Sequence, residues 1–187
     1  MLDPDSLDPK HTRAVFFLGE EARLVFNDPR QFGRIQWSSG IHPRVAKLGP
    51  EPLEIGFEDF YTRLHRRNAK MKALLLNQTF LAGVGNIYAD ETLFAAGIHP
   101  LANASRISRL RAKKLHGAIQ GILAHAIELG GSSISDYVNA DGERGWFQIE
   151  HRAYGREGEA CVNCGAAIRK ILVAQRGTHY CPRCQKK

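Results

Sequence analysis

The sequence predicts an α+β protein with three parts, namely a short β-sheet segment, a helical domain and a small metal-binding module. Three observations lead to this prediction. Apolar residues run through two strand-like segments near the N-terminus, recur at helical spacing in the middle of the chain, and give way to four cysteines near its end. We place the three parts at residues 1–56, 57–150 and 151–187.

The first part is predicted to form a β-hairpin, with strands at residues 13–18 and 22–26, followed by a third short strand at 34–37. Phe16 and Phe17 are neighbours, so their side chains point to opposite faces of the first strand. A hairpin that is apolar on both faces is marginally stable alone. We therefore expect it to belong to a larger sheet that is covered on both faces, and to promote self-association where the faces stay uncovered.

A Gly/Pro-rich linker at residues 38–56 leads into the helical part, where apolar residues recur at helical spacing. The longest predicted helix, at 105–129, begins at Ser105, a residue type favoured at helix N-caps, and ends at Gly130-Gly131. Shorter helices are predicted at 57–64, around 74–76 and at 87–96. The apolar face of the longest helix, which we assign to the core, consists of Ile107, Leu110, Leu115, Ile119, Ile122, Leu123 and Ala126.

Two Cys-x2-Cys pairs, Cys161/Cys164 and Cys181/Cys184, dominate the C-terminal part and have sixteen residues between them. Each pair can present two thiolates to one tetrahedral Zn²⁺ ion, while the residues between the pairs form a hairpin around 175–177. Redox-active Cys-x2-Cys chemistry is the alternative, but the chain lacks the βαβ pattern of thioredoxin-like proteins. We therefore predict one structural zinc ion, because four protein ligands leave no coordination position for catalysis.

Charge is distributed unevenly along the chain. Residues 1–60 contain 7 Lys/Arg and 10 Asp/Glu, whereas residues 61–187 contain 19 and 9, so the second segment has an excess of 10 positive charges. Such a surface suits a polyanion such as nucleic acid, although a basic face that only contacts solvent has the same composition. No apolar run is long enough to span a membrane and the N-terminus does not resemble a signal peptide, so we expect a cytoplasmic protein.

Two further motifs suit nucleic-acid binding, and each has a simpler alternative. In the first, residues 83–86 open a predicted helix, where backbone N–H groups and the Asn86 side chain can hold a phosphate oxygen. A tight connection with an ordinary N-cap has the same sequence. In the second, Arg30 and Phe32 lie two residues apart between strands, which would direct both side chains into a DNA duplex with an everted base. The alternative there is a β-turn with one buried aromatic residue.

Six motifs in a fixed order give the chain a specific resemblance. They are DPRQFG, LGPEPL, GVGNIYADETLFAAGIHP, GGSSISDY, YGREGE and AQRGTHYC. From about residue 10 onward the chain resembles the formamidopyrimidine-DNA glycosylase and endonuclease VIII family, in its bacterial formamidopyrimidine-DNA glycosylase branch. Members remove oxidised bases, such as 8-oxoguanine and formamidopyrimidines, from DNA and cut the strand at the abasic site.

The resemblance implies a fold, a partner and a location. The expected fold is a remnant of an N-terminal β-sandwich, then a helix-two-turn-helix domain and a zinc-finger β-hairpin, with Zn²⁺ bound by the four cysteines. Double-stranded DNA with an oxidised base or an abasic site would lie in the cleft between the two halves. The expected location is the bacterial cytoplasm, in association with the nucleoid.

The resemblance also implies roles for individual residues. Arg30 and Phe32 match two of the three residues that fill the gap left by the everted nucleotide. The third, a methionine, has no counterpart, because Met71 belongs to a helix. Asn86 and Arg176 match the phosphate clamps that flank the lesion, and this arginine is also associated with the second elimination step. Further DNA contacts are implied for His11, Arg67 and Lys72.

The family's catalytic groups and lesion-sensing loop match this sequence less well. The loop corresponds to residues 139–147, but Glu143-Arg144 departs from the family's basic residue followed by proline, which leaves the base preference open. Catalysis in the family begins when the amine of an N-terminal proline, next to a glutamate, attacks C1′ of the sugar to form a Schiff base, and a lysine of the sandwich assists. Here residues 2 and 3 are Leu and Asp, and the sandwich lysine is likewise missing. We therefore expect a chain shortened at its N-terminus that binds damaged DNA without cutting it.

Three hypotheses remain open at this point. The chain is a glycosylase fragment that binds DNA weakly, or it is part of an enzyme whose missing half comes from upstream sequence or from another chain. The third hypothesis is a stand-alone, zinc-dependent module that binds DNA or senses lesions without chemistry. An in-frame Met-Pro-Glu start upstream of Met1 would separate the second hypothesis from the other two.

Overall fold

Helices occupy the middle of the chain, and a β-hairpin lies on either side of them in the sequence. The structure, a computed structural model, describes residues 10–19, 22–132 and 145–187. It confirms the predicted α+β class, and no helix among the described residues is long and apolar enough to cross a membrane. The elements are β1 (Thr12–Phe17), β2 (Arg23–Asn27), α1 (Pro43–Ala46), α2 (Phe57–His65), α3 (Met71–Leu75), α4 (Asn86–Ala95), α5 (Arg109–Glu128), β3 (Arg169–Val173) and β4 (Arg176–Tyr180), with 3₁₀ turns at Ala104–Arg106 and Phe147–Glu150.

The N-terminal hairpin forms as predicted but gains no third strand. β1 and β2 pair antiparallel, with Phe16 opposite Leu24. The strand predicted at 34–37 is wrong, because within the described residues this segment joins neither sheet and leaves 89% of Trp37 exposed. Leu24 and Phe17, which point to opposite faces of the hairpin, are also exposed. Both faces of this hairpin are therefore apolar and uncovered by the described residues.

The helical domain packs around one apolar core, to which α2, α3, α4 and α5 all contribute. On α2, Phe60 and Leu64 are fully buried one helical turn apart, and the Phe60 ring lies 5.9 Å from that of Phe80. The apolar face predicted for α5 is confirmed along its centre. The prediction that Leu110 lies in the core is wrong, because this residue is in the first turn of α5 and is 69% exposed. The buried residues of α5 are Ala112, Leu115, Ile119 and Ala126.

The longest helix begins at a different serine from the one predicted. Ser105 lies in a 3₁₀ turn, and the side chain of Asn103 caps that turn. Ile107 then adopts an extended backbone, with a ψ of 121°, and buries its side chain in the core. Ser108 is the N-cap of α5, since its side chain accepts a hydrogen bond from the N–H of Arg111. The bend that buries Ile107 thus separates Ser105 from the helix.

Helix α4 touches two apolar cores. Its residues from Ala89 to Phe94 are all buried. Leu93 belongs to the core of the helical domain, whereas Phe94 belongs to a second cluster with Cys161 and Ile168 of the metal module. α4 ends as predicted at Gly97, whose φ of 67° is a left-handed conformation that glycine adopts at low cost. The helical domain and the metal module are therefore built against the same helix.

The hairpin of the metal module has its turn one residue earlier than predicted. β3 and β4 pair antiparallel, with Val173 opposite Arg176. The two residues between them, Ala174 and Gln175, have φ values of 50° and 59°, as a two-residue turn compatible with the strand twist requires. Arg176 is consequently the first residue of β4 and not the centre of the turn.

Candidate metal centre and nucleic-acid interface

The four cysteines of the metal module converge on one point. Their sulfur atoms all lie within 4.8 Å of one another, with Cys161 and Cys184 3.9 Å apart and Cys164 and Cys181 3.5 Å apart. Four sulfurs bound to Zn²⁺ at about 2.3 Å in a tetrahedron are separated by roughly 3.8 Å. The donor set and its spacing therefore fit one tetrahedral zinc ion, as the sequence predicted.

Backbone groups shape both cysteine pairs. The N–H of Cys181 donates to the side-chain oxygen of Gln185 at 2.7 Å, and the N–H of Cys184 points to the sulfur of Cys181 over 3.4 Å. A backbone hydrogen bond from Ala166 lowers the pKa of Cys164 to about 7, whereas burial raises the pKa of Cys184 to about 12. Four thiolates can share this site only when a cation compensates their charge, so the ion would hold the module together.

The loop after β2 projects an arginine and an aromatic side chain into solvent. Asp28 closes this loop by accepting a hydrogen bond from the N–H of Gly33 at 2.7 Å. A Cβ atom at Gly33 would lie 2.4 Å from the ring of Phe26, so the close approach requires glycine. Phe32 is 81% exposed and Arg30 is exposed as well. The alternative of a turn with one buried aromatic residue is therefore excluded.

Asn86 and Arg176 line one groove of about 640 Å³ between the helical domain and the metal module. The side-chain amide of Asn86 donates to the carbonyl of Gly177 at 3.1 Å, while its buried Oδ1 has no hydrogen-bond partner among the described residues. Gly85, the N-cap of α4, also lines the groove, and no side chain caps the helix there. A guanidinium, an amide and the positive end of a helix thus share one concave surface, which suits an anion.

Gln78 holds the turn that leads into α4. Its amide donates to the carbonyl of Val84 at 3.0 Å, and its side-chain oxygen accepts from the N–H of Gly83 at 2.7 Å. Gly83 has a φ of 77°, a conformation that L side chains rarely adopt. Gly85 is the N-cap and Asn86 is the first helical residue, so the turn has the form of a tight connection with an N-cap, as the simpler alternative predicted. The turn leaves the Asn86 side chain free to reach the metal module.

Lys72 does not lie on the surface, where the resemblance implied a DNA contact. Its side chain is fully buried, and its Nζ donates to Asp90 Oδ1 at 2.6 Å and to the carbonyl of Asn86 at 2.8 Å. Burial lowers the pKa of Lys72, and the adjacent Asp90 carboxylate opposes that shift. The prediction that Lys72 contacts DNA directly does not fit its burial, since its ammonium bonds the backbone of Asn86 beneath the groove.

Two adjacent carboxylates of α4 attach the metal module to the helical domain. Asp90 Oδ2 accepts a hydrogen bond from the N–H of His179 at 2.9 Å. The carboxylate of Glu91 accepts three, at 2.7 to 3.0 Å, from consecutive backbone N–H groups at residues 152–154. Both carboxylates are buried. No role was assigned to Asp90 or Glu91 from the sequence. Their position as two adjacent acidic residues in a largely apolar helix could have indicated buried carboxylates with hydrogen-bond partners.

The other predicted DNA contacts lie on two separate surfaces. Arg67 is exposed and lines a depression of about 420 Å³ together with Arg63 and Arg66 of the α2 region. His11 precedes β1, and its carbonyl accepts a hydrogen bond from the N–H of Asp28 at 2.9 Å, which places it at the base of the Arg30 loop. The basic depression and the loop both remain candidates for contact with a phosphate backbone.

Several predictions fall outside the described residues. These include Met1 and residues 2 and 3, where the family's catalytic amine and glutamate were sought, and most of the predicted lesion-sensing loop at 139–147.

Comparisons with known proteins match both the helical domain and the metal module. A family model described as the formamidopyrimidine-DNA glycosylase H2TH domain matches residues 48–138, and a zinc finger found in FPG and IleRS matches residues 158–187. The formamidopyrimidine-DNA glycosylase of Solibacter usitatus (strain Ellin6076) is 58% identical over 178 residues, which are 95% of this chain and 67% of that protein. The enzyme of the same name from Acidovorax sp. (strain JS42) is 45% identical over 174 residues, 89% of this chain and 64% of that protein.

Solved structures are similar as well. The crystal structure of MutM (Fpg) protein from Thermus thermophilus has a TM-score of 0.85 and 45% identity, and the match covers 94% of this chain and 68% of that one. The complex of Lactococcus lactis Fpg with DNA containing an abasic site has a TM-score of 0.86 and 40% identity, with 98% and 69% covered. This chain thus spans between 64% and 69% of the length of these four proteins.

Proposed function

This chain belongs to the formamidopyrimidine-DNA glycosylase family, and from that premise we propose that it is a base-excision repair protein that binds one structural zinc ion and damaged double-stranded DNA. The observation that carries the proposal is the groove in which Asn86 and Arg176 lie together. The damage would be an oxidised base or an abasic site. Lactococcus lactis Fpg has been solved with DNA containing an abasic site, and its T221P mutant with DNA containing Fapy-dG, which supports this class of ligand.

The groove would bind the backbone of the damaged strand. The guanidinium of Arg176 can form charge-assisted hydrogen bonds with phosphate oxygens, and the Asn86 amide together with the uncapped end of α4 can hold a neighbouring phosphate. Arg30 and Phe32 would enter the duplex where a nucleotide has been everted, because an exposed aromatic ring can replace the lost stacking. The exposed arginines around Arg67 would add attraction to the backbone further along the duplex.

We propose that residues 1–187 do not contain the groups that perform the covalent chemistry of the family. Residue 2 of this sequence is leucine, which offers no secondary amine for attack on C1′ of the sugar. Arg176 would still bind the phosphate next to the reacting sugar, which is the position from which it would assist the second elimination step. We therefore propose that the 187-residue polypeptide binds damaged DNA and does not cleave it.

A binding experiment tests the DNA-binding proposal. The zinc-loaded chain is titrated with a duplex that contains a stable abasic-site analogue and with the undamaged duplex. We expect tighter binding to the damaged duplex, and a loss of about tenfold in affinity on Arg176→Ala or Asn86→Ala. Arg169→Ala is the matched control, because this exposed arginine lies on β3 and does not line the groove. Equal affinity for the two duplexes, or an Arg176→Ala variant that binds like the parent chain, would refute the proposal.

Borohydride trapping tests the proposal about chemistry. We expect no covalent adduct between the 187-residue chain and abasic-site DNA, because the family's proline amine is missing and the primary amine of Met1 precedes a polar, proline-containing segment that would not hold it against C1′. A family member with a Met-Pro-Glu start serves as the positive control. A robust adduct with this chain would contradict the absence of chemistry and leave the binding proposal intact. Specific binding without an adduct is the outcome that this proposal predicts, and a non-enzymatic lesion-sensing module would give the same result.

The uncovered hairpin motivates a second proposal, which concerns assembly. Phe17, Leu18 and Leu24 expose between 58% and 74% of their surfaces, so we propose that the isolated 187-residue chain self-associates through β1 and β2. We further propose that the chain divides into a sheet remnant with its linker at 1–56, a helix-two-turn-helix domain at 57–150 and a zinc finger at 151–187, and that the protein works in the bacterial cytoplasm on nucleoid DNA.

A further inference from the structure

Helix α4 and strand β4 carry the two proposed phosphate-binding residues, and two hydrogen bonds join α4 to the backbone of β4, while the His179 ring nitrogen Nδ1 also lies 3.4 Å from Asp90 Oδ2. The Asn86 amide donates to the carbonyl of Gly177 at 3.1 Å, and Asp90 accepts from the N–H of His179 at 2.9 Å. Positions four apart on a helix are separated by a rise of about 6 Å, and positions two apart on a strand by about 6.6 Å. The two bonds therefore match in spacing and fix the register of β4 along α4.

The buried carboxylate of Asp90 is hydrogen-bonded to both sides of the groove, to α4 through Lys72 and to β4 directly. One of its oxygens accepts from Lys72 Nζ at 2.6 Å, and the same ammonium donates to the carbonyl of Asn86 at 2.8 Å. The other oxygen accepts from the backbone of β4, three residues beyond Arg176. Asp90 is 1% exposed. A slide of β4 along α4 would leave Oδ2 of this buried carboxylate without the backbone donor of His179, which is unfavourable in a dry environment.

We propose that Asp90 is a positioning residue that holds the Arg176 guanidinium in register with Asn86, so that both reach the same DNA backbone. This inference rests on the proposed function of the groove. The side chain of Arg176 is long and exposed, so the surrounding residues do not hold it in one conformation. The region that its guanidinium can reach is therefore set by the position of the β4 backbone. Loss of the Asp90 carboxylate leaves both side chains proposed to contact DNA present and removes the buried one of the two bonds that fix the register of β4.

A change at Glu91 can distinguish the positioning of Arg176 by Asp90 from a general contribution of Asp90 to stability. It is adjacent to Asp90, 3% exposed, and accepts three backbone hydrogen bonds from residues 152–154, at the start of the metal module. Its loss should loosen the module at least as much as the loss of Asp90. However, Glu91 makes no hydrogen bond to β4 among the described residues, so its loss should leave Arg176 in place. Glu91→Gln is therefore the matched control for Asp90→Asn.

The test is a double-mutant cycle on the complete, zinc-loaded chain with a duplex containing the abasic-site analogue. Arg176→Ala is combined with the parent, Asp90→Asn and Glu91→Gln chains, and affinity is measured over a salt series. We expect Arg176→Ala to weaken binding about tenfold in the parent and Glu91→Gln chains, but less than about threefold in Asp90→Asn. Asp90→Asn should also reduce the slope of log affinity against log salt by about 0.9, the loss of one phosphate contact.

A second variant keeps the test decisive if Asp90→Asn loses zinc or fails to fold, since that change leaves the Lys72 ammonium without its carboxylate. In the pair Asp90→Asn/Lys72→Gln, the amide at position 90 can accept from His179 and donate to the new side-chain oxygen at position 72. Arg176→Ala should again cost about tenfold in this pair. Failure of that rescue in a folded, zinc-bound protein overturns the inference.

Other outcomes also decide the question. A full tenfold effect of Arg176→Ala in zinc-bound Asp90→Asn overturns the inference, as does the same loss of coupling in Glu91→Gln. If the parent chain shows no preference for the damaged duplex and Arg176→Ala has no effect on it, the proposed function of the groove fails instead. The two failures are thus distinguishable in one set of measurements.

Discussion

Single residues in this chain are best interpreted from how much of their surface the fold leaves exposed. Phe32 and Lys72 make the point from opposite directions. A phenylalanine in a short loop is ordinarily buried and a lysine is ordinarily exposed, yet Phe32 is 81% exposed and Lys72 is fully buried. Phe32 therefore contributes little to the core and is available for a partner, whereas Lys72 contributes to the architecture of the groove.

Phe32→Ala should separate DNA binding from stability. We expect the melting temperature to stay unchanged, because the ring is exposed, and the affinity for abasic-site DNA to fall by about 1 to 3 kcal/mol as its stacking is lost. Binding to undamaged duplex should change little, since no gap is available to fill. Trp37→Ala is the control, as this ring is 89% exposed but lies outside the loop. Equal losses for both variants would argue against a specific role of Phe32.

The cysteines lead to a prediction about metal content. The chain should contain one zinc ion, and either a strong chelator or the Cys161→Ser/Cys164→Ser variant should unfold the metal module while most of the helical signal persists. The helical domain should survive because its apolar core is distinct from the cluster around Cys161 and Ile168. Metal analysis together with circular dichroism measures both effects. A metal-free variant in which residues 151–187 remain folded would contradict the structural role of zinc.

At the scale of elements, helix α5 shows how tertiary packing selects one local signal over another. Ser105 and Ser108 are both residues that can cap a helix. Ile107 lies between them and is 2% exposed, and the extended backbone that buries it ends the 3₁₀ turn before the α-helix starts. Helix α5 is consequently capped by the serine that follows Ile107.

The two serines provide a matched pair for a stability measurement. Ser108→Ala should lower the free energy of unfolding by about 1 kcal/mol, because the N–H of Arg111 loses its side-chain acceptor. Ser105→Ala should cost less than about half of that, since its hydroxyl donates to Asn103 Oδ1, which the backbone N–H of Ser105 also satisfies. Urea denaturation of both variants tests this order. The reverse order would place the helix start at Ser105.

At the scale of the whole molecule, the described residues form a well-packed unit and a hairpin whose faces none of them covers. The helical domain and the metal module share α4, whose residues contribute to both apolar clusters and whose carboxylates bind the backbone of the metal module. The N-terminal hairpin, in contrast, leaves Phe17 and Leu24 exposed on opposite faces. An exposed hairpin with unpaired edges readily pairs with another strand.

Sedimentation over a range of concentrations should therefore show reversible self-association of the 187-residue chain. Phe17→Ser/Leu24→Ser should shift the equilibrium toward the monomer, because both changes remove exposed apolar surface from the hairpin. Leu110→Ser is the control, since this leucine is 69% exposed but lies on α5. A parent chain that stays monomeric at high concentration would exclude association through the hairpin.

The sequence by itself determined the features that depend on local pattern. The spacing of Cys161, Cys164, Cys181 and Cys184 predicted a tetrahedral metal site, helical periodicity predicted α2, α4 and most of α5, and strand-like segments on either side of a short turn predicted both hairpins. Each of these signals lies within a few consecutive residues or within one small module. The six motifs indicated the family because each is a short run of consecutive residues and because all six occur in the order typical of that family.

Only the tertiary structure decided how the proposed DNA-binding residues are supported. The bonds from Asn86 to Gly177 and from Asp90 to His179 join residues 91 and 89 positions apart, and no local pattern predicts such pairs. The burial of Lys72 could not be predicted from the sequence either. A charged lysine is stable inside a protein only where the fold brings a carboxylate to it, and Asp90 lies on another helix. The side chains that define the groove can therefore be recognised from the sequence, whereas the network that sets their separation depends on the packing of β4 against α4.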